Sequence, residues 1–300
     1  MFLALKEIKH EKLRYGLIIA MIVLISYLIF ILTSLALGLA QENTAAIDGW
    51  KIRSAVLNKD SDVSLRQSLL TTDQVNKLTK DKNNAVIAET SIVAKTKGKA
   101  KQASTFIGLD NSQFISKDLK LTSGHKPEND RQVVVDDSFK QYGYKLNDKL
   151  TINSDSTAYT IVGFTHNAKL NISPIVYGTI PTWQKLRGMG NAFGGSAVVS
   201  KQANIDNSDK NLKVYTVTQV INKLPGYTAQ NSTFIFMIGF LMIISLIIIA
   251  VFLYIITIQK LGNYAVLRAQ GSPAKLLVGA TFSQSLLLTI IGLVISLILT

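Results

Sequence analysis

Catalysis needs side chains that can exchange protons, attack or ligate, and this chain offers few of them close together. Its three histidines, His10, His125 and His166, are isolated in sequence, and it has no cysteine. No His-Glu-x-x-His or Gly-x-Ser-x-Gly pattern occurs, so neither a zinc hydrolase nor a serine hydrolase of those types is expected. Asp136-Asp137 could bind a cation, but adjacent acids where a strand meets a helix more often serve as a cap and a partner for the helix dipole. The glycines around Met189–Gly195 lack the Lys-Ser/Thr of a phosphate loop and read as a flexible loop. The expectation is therefore of no catalytic residues, no metal site and no permanently bound cofactor.

The elements that surround these residues point elsewhere. Of 300 residues, 48% are hydrophobic and only 17% charged, with a mean hydropathy of +0.27. Soluble chains carry about 25% charged residues. The apolar excess is concentrated in uncharged runs, from which membrane spans are expected at 15–41, 233–259 and 276–300, each long enough for the ~20 residues of a crossing. Gly38-Leu39-Ala40 has the small-x-small form of a signal-peptide cleavage site. The apolar run before it is far longer than the roughly 7–15 residues of a secretory signal, so a retained span is expected. Lys6, Lys9, Lys12 and Arg14 precede the first span, and Lys260, Arg268 and Lys275 follow the second. Basic residues favour the cytoplasmic side, which predicts a cytoplasmic N-terminus, a multi-pass cell-membrane protein and an extracytoplasmic segment 42–232. The apolar spacing of Met1, Phe2, Leu5 and Ile8 predicts an amphipathic N-terminal segment over 1–14, lying on the inner leaflet or continuing the first helix.

Segment 42–232 reads as an α+β domain. Strands are expected at Ala85–Ala94, Ser104–Leu109, Val133–Asp136, Lys149–Ile152, Tyr159–Phe164 and Ile175–Ile180. Helices are expected at Thr72–Lys80, at Asp137–Tyr142 behind an acidic cap, and at Pro181–Leu186 with proline in the first turn. Between residues 41 and 232 there are 25 Lys/Arg and 17 Asp/Glu. They are scattered, with no arginine cluster and no interleaved aromatics, so lipid headgroups or cell-wall polymers are expected as neighbours rather than nucleic acid.

The most informative stretch is the loop 260–275, entered from Gln259. It reads as the end of one span, a short amphipathic helix carrying Tyr264, Leu267 and Arg268, a stop at Gly271, and a new helix with Ser272 as its cap and Pro273 in its first position. Such a helix–turn–helix at the inner membrane face could receive a push from a cytoplasmic partner. Gln259, Lys260, Val266, Leu267, Arg268, Ala269, Gly271 and Ser272 together resemble the ATPase-contacting loop of the FtsX/MacB-like ABC transporter permeases. An acid often found just before the Val-Leu-Arg-Ala core is replaced here by Asn263 and Tyr264. The segments Val133–Phe139, Gly143–Ile152 and Tyr159–Phe164 resemble the outer domain of the same family, which extends the likeness over nearly the whole chain.

Within that family, Leu3–Ile8, Gly38–Asn43 and Phe252–Lys260 resemble the HrtB-type haem-exporter permeases. The resemblance implies a homodimer in membrane lipid, driven by a separate cytoplasmic ABC ATPase that docks on Val266, Leu267, Arg268, Ala269, Gly271 and Ser272. It also implies four spans, so that this chain has three or is a piece of a longer one. The implied activity is export of an amphipathic substrate, with haem as transported cargo. For such a cargo Glu42, at the expected outer end of the first span, could offer a carboxylate, and Met237 and Met242 in the second could offer thioethers. The alternative is an FtsX-like transmitter that uses the same loop to control an extracellular cell-wall hydrolase.

Overall fold

The computed structural model describes residues 12–300, so the expected amphipathic segment and His10 fall almost wholly outside the described residues. Among the described residues three helices are long and apolar enough to cross a membrane: Lys12–Trp50, Tyr227–Ala269 and Ala274–Leu299. The α+β domain lies between the first and second of them, which is the expected fold class. The chain divides into two compact bodies, one formed by residues up to Gly38 together with Gln230–Thr300 and the other by Leu39–Ala229.

In the helical body, apolar side chains of the first helix, Tyr15, Ile18 and Ile22, bury against Ile256 and Leu288 of the other two. Most of the second helix's large hydrophobic side chains face outward, as expected of a helix solvated by lipid.

The α+β body is built on thirteen strands: β1 (Ser54–Asn58), β2 (Leu70–Thr71), β3 (Asn84–Lys95), β4 (Gln102–Leu109), β5 (Leu121–Gly124), β6 (Gln132–Asp136), β7 (Lys149–Ile152), β8 (Tyr159–Thr165), β9 (Lys169–Leu170), β10 (Ser173–Thr179), β11 (Phe193–Gly195), β12 (Ala197–Ser200) and β13 (Leu212–Thr216). Eleven form one mixed sheet in the order β13-β1-β12-β3-β4-β10-β6-β8-β5, with β7 pairing β3 and β8, and β9 pairing β10. The pairs β4–β10 and β6–β8 are parallel. Side chains alternate across each strand, so β3, β4 and β10 send Ile87, Ile107 and Ile175 to one apolar layer and Ala88, Phe106 and Val176 to the other. Trp183, from helix Ile180–Arg187, is fully buried in the second layer and donates its indole N–H to the Glu89 carbonyl at 2.9 Å.

Two expectations are corrected, and one element proves longer than the span it carries: the first long helix continues past 15–41. It runs on to Trp50, because Ala46, Ile47 and Trp50 bury in the α+β core and Trp50 Nε1 donates to the Tyr177 hydroxyl at 3.0 Å. The glycine-rich segment Met189–Gly195 is not a flexible loop. After a short turn it becomes β11, paired with β2, and a side chain at Gly195 would lie 2.4 Å from Val86 Cγ2. That glycine is there for close packing. The amphipathic helix expected after the second span is instead the unbroken continuation of that span to Ala269. Nothing between Lys260 and Ala269 interrupts the helical hydrogen-bond ladder, and most of those residues are good helix formers.

The Asp136-Asp137 pair does what adjacent acids at such a junction usually do. Asp136 caps Asp137–Tyr142 by accepting from the Ser138 amide at 2.9 Å, and its second oxygen accepts from the Ala168 amide at 2.8 Å. Asp137 is held by Lys140 and by the Thr122 hydroxyl.

Candidate coupling site

The end of the second long helix is set by one residue. Gly271 has φ +88°, the left-handed conformation that glycine adopts without a Cβ penalty. Its amide donates to the Arg268 carbonyl at 3.0 Å, and the Ser272 amide donates to the Leu267 carbonyl at 3.1 Å. These two bonds are the Schellman pattern, which satisfies carbonyls left over at a helix end. Ser272 therefore closes the preceding helix through its backbone rather than capping the next one. The cap position belongs to Pro273, and the third helix begins at Ala274.

The turn joins two helices that are tied together just before it. Lys260 Nζ, only 7% exposed, donates to Gln284 Oε1 at 2.8 Å, and the Tyr264 and Thr281 hydroxyls lie 2.8 Å apart. Both ties bridge the second and third helices. Polar bonds between helices in an apolar surround fix register, because the alternative is a polar group in hydrocarbon. Gln284 stands out in the sequence as a polar side chain inside the third apolar run. That was the available signal, but its pairing with Lys260 depends on the turn length and was not legible.

Beyond those ties the turn is open. Val266 is 59% and Leu267 39% exposed, Arg268, Ala269 and Gly271 are exposed as well, and Ser272 is half-buried. The six residues expected to meet a partner thus fall within 266–272, with an apolar step followed by a cation at a helical end.

The three residues considered for cargo are not gathered in this way. Glu42 belongs to the α+β body and forms an ion pair with Lys169. Beside it, the Asn171 and Ile172 amides donate to the carbonyls of Asn43 and Glu42 at 2.9 and 3.3 Å, so the β9–β10 turn is bonded to the helix. Met237 and Met242 belong to the helical body, 42% and 59% exposed on the second helix. Among the described residues no three His, Cys, Asp or Glu side chains converge as a metal centre. His125 Nδ1 lies 2.8 Å from the Lys126 carbonyl, to which it can only donate, and His166 lies 3.6 Å from Asp137.

Spanning helices, a large domain between the first and second of them and a pinned turn between the second and third define an integral membrane protein. No family model matches the chain. It is 28% identical over 299 residues to a hemin transport system permease protein, HrtB, of Staphylococcus epidermidis, covering 99% of this chain and 83% of that protein. To the HrtB of Staphylococcus haemolyticus it is 25% identical over 303 residues, with the same coverage. Among solved structures, the periplasmic region of MacB from Actinobacillus actinomycetemcomitans aligns with a TM-score of 0.43 at 15% identity, covering 58% of this chain and 95% of that one. The extracellular domain of YknZ, a noncanonic ABC-type transporter from Gram-positive bacteria, aligns with a TM-score of 0.38 at 14% identity, covering 53% and 84%. The resemblance to HrtB-type permeases seen in short motifs thus extends along nearly the entire chain.

Proposed function

We propose that this chain is the permease subunit of an ABC exporter, moved by a separate cytoplasmic ATPase and passing an amphipathic substrate, haem by its likeness to the hemin permeases, out of the membrane. The observation that carries the reading is the open apolar step Val266-Leu267 at the end of a pinned helical hairpin, in a chain similar to those permeases over 99% of its length. A rigid hairpin transmits displacement where a flexible loop would absorb it. In this reading the turn faces the cytoplasm, Leu39–Ala229 lies outside the cell, and two copies form the working pair. Glu42 would have to exchange Lys169 for the cargo, while Met237 and Met242 already lie open on their helix.

The test is assembly with the ATPase. The complex should co-purify, and Leu267→Asp should abolish it by placing an unpaired charge in an apolar contact, a cost of about 3 kcal/mol or roughly a hundredfold in affinity. Undiminished pull-down and ATPase stimulation by that variant would remove the docking role. Cells carrying the intact complex should hold less haem than cells lacking it. Equal haem with intact assembly would leave the transmitter reading in its place.

A further inference from the structure

The α+β body contains a cavity of about 370 Å³ that the proposed function does not use. Its floor is the end of the main apolar layer. On β3 the inward series Ala85, Ile87 continues as Glu89 and Ser91; on β4, Leu109 and Ile107 give way to Thr105; on β10, Tyr177 and Ile175 give way to Ser173. Glu89 pairs with Ile107, Ser91 with Thr105 and Thr105 with Ile175, so the polar onset moves one level along from β3 to β4 and again from β4 to β10. A sheet face that merely met solvent there would not bury an acid. Glu89 is 7% exposed and Thr105 4%.

None of these side-chain oxygens is satisfied by the protein. The Glu89 carboxylate makes no hydrogen bond to a described residue, its nearest cation being Arg66 Nε at 3.8 Å, and the Ser91, Thr105 and Ser173 hydroxyls make none either. Ser91 is exposed and Ser173 half-buried, but Glu89 and Thr105 are buried, and buried polar groups are ordinarily bonded, so this pair opening on one cavity points to an absent partner. Burial raises the Glu89 carboxyl above the usual carboxylate range, with Arg66 and Arg187 only partly offsetting it. The walls are also held in unfavourable backbone. Among the lining residues Val63 has φ +62° and Asn171 φ +51°; for a β-branched residue such as Val63 this is a strained conformation of the kind that collects at ligand sites.

We propose that this cavity binds a zwitterion, an apolar α-amino acid or short apolar peptide, with its ammonium group on Glu89. The acid calls for a cationic donor, and the Thr105 hydroxyl, on the neighbouring strand one level along, can accept one of its remaining protons. Arg66, with its side chain half exposed, also lines the cavity, which disfavours a simple cation and suits a ligand that carries a carboxylate as well; Lys223, likewise in the lining, is engaged by Asp62 at 2.7 Å. Leu65, Leu170, Val220 and Leu224 form an apolar wall for its side chain. No aromatic ring faces the cavity, so the stacking surface that a sugar would use is lacking. The volume falls within the roughly 300–1,000 Å³ common for small-molecule sites.

The test is calorimetric titration of the full chain in detergent with L-leucine and with the dipeptide Leu-Leu. Saturable binding of one or both is expected, with N-acetyl-L-leucine and Glu89→Gln each weakening it about tenfold or more, as loss of a charge-assisted contact requires. Thr105→Val should weaken it by a smaller factor while leaving Glu89 in place. Absence of binding by both probes, equal binding of the N-acetyl compound, or full affinity in Glu89→Gln would each overturn the assignment.

Discussion

A carboxylate buried without hydrogen bonds is a cost, and Glu89 is where this protein bears it. Its carboxyl pKa is raised by burial, so the folded state holds the proton more tightly than the unfolded chain does. The contribution to stability is then complete below the ordinary carboxyl pKa and is lost as pH rises through the folded value. Glu89→Gln should therefore melt at a higher temperature than the parent at pH 8 and at the same temperature near pH 4. Each kcal/mol relieved corresponds to roughly 2–4 °C in a domain of this size. A melting difference that is independent of pH would show that the carboxyl titrates alike in the folded and unfolded chain, so that burial does not raise it. Glu42 is the opposite case. Its pair with Lys169 is partly exposed, with side chains 42% and 25% accessible, and such pairs contribute about 0–1 kcal/mol.

The turn at Gly271 shows what a helix end can do when its geometry is fixed. Any L-residue at φ +88° pays about 1–2 kcal/mol, so Gly271→Val should leave the spanning helices formed but loosen the Schellman closure. The expected outcome is ATPase assembly with at least a severalfold loss of stimulated hydrolysis, measured on the purified complex; unchanged stimulation would separate the turn's geometry from coupling. This glycine was legible in the sequence, as were the central strands β6, β8 and β10, because an apolar run bounded by turn residues is a local signal. Short strands such as β2, β9 and β11 were not. Their pairing depends on partners far away in the chain, and two glycines in β11 look like flexibility until Val75 and Val86 are seen against them. Among the candidate site residues, the exposed set Val266–Ser272 could be read from its motif. The Glu89 cavity could not, since one acid in an apolar strand is indistinguishable locally from a surface position.

At the scale of the whole molecule, the proposed orientation can be checked with chemistry the chain itself makes clean. It has no cysteine, so a single one introduced at any exposed site is the sole thiol. Asn129, Ser208 and Gln270 are all exposed. On intact cells an impermeant maleimide should label cysteines at Asn129 and Ser208 but reach one at Gln270 only after the membrane is opened. Equal labelling of all three would reverse or abolish the topology.

The bond between the β9–β10 turn and the first long helix has a kinetic side. Asn171 and Ile172 form an exposed turn of the kind whose amide protons usually exchange with solvent within moments. Here those two protons point at helical carbonyls of Asn43 and Glu42, and they can leave only when turn and helix part. The isotope clock of a surface loop thus runs at the pace of a helix end, and the same two residues, left-handed and adjacent to the cavity wall, relax only on that event.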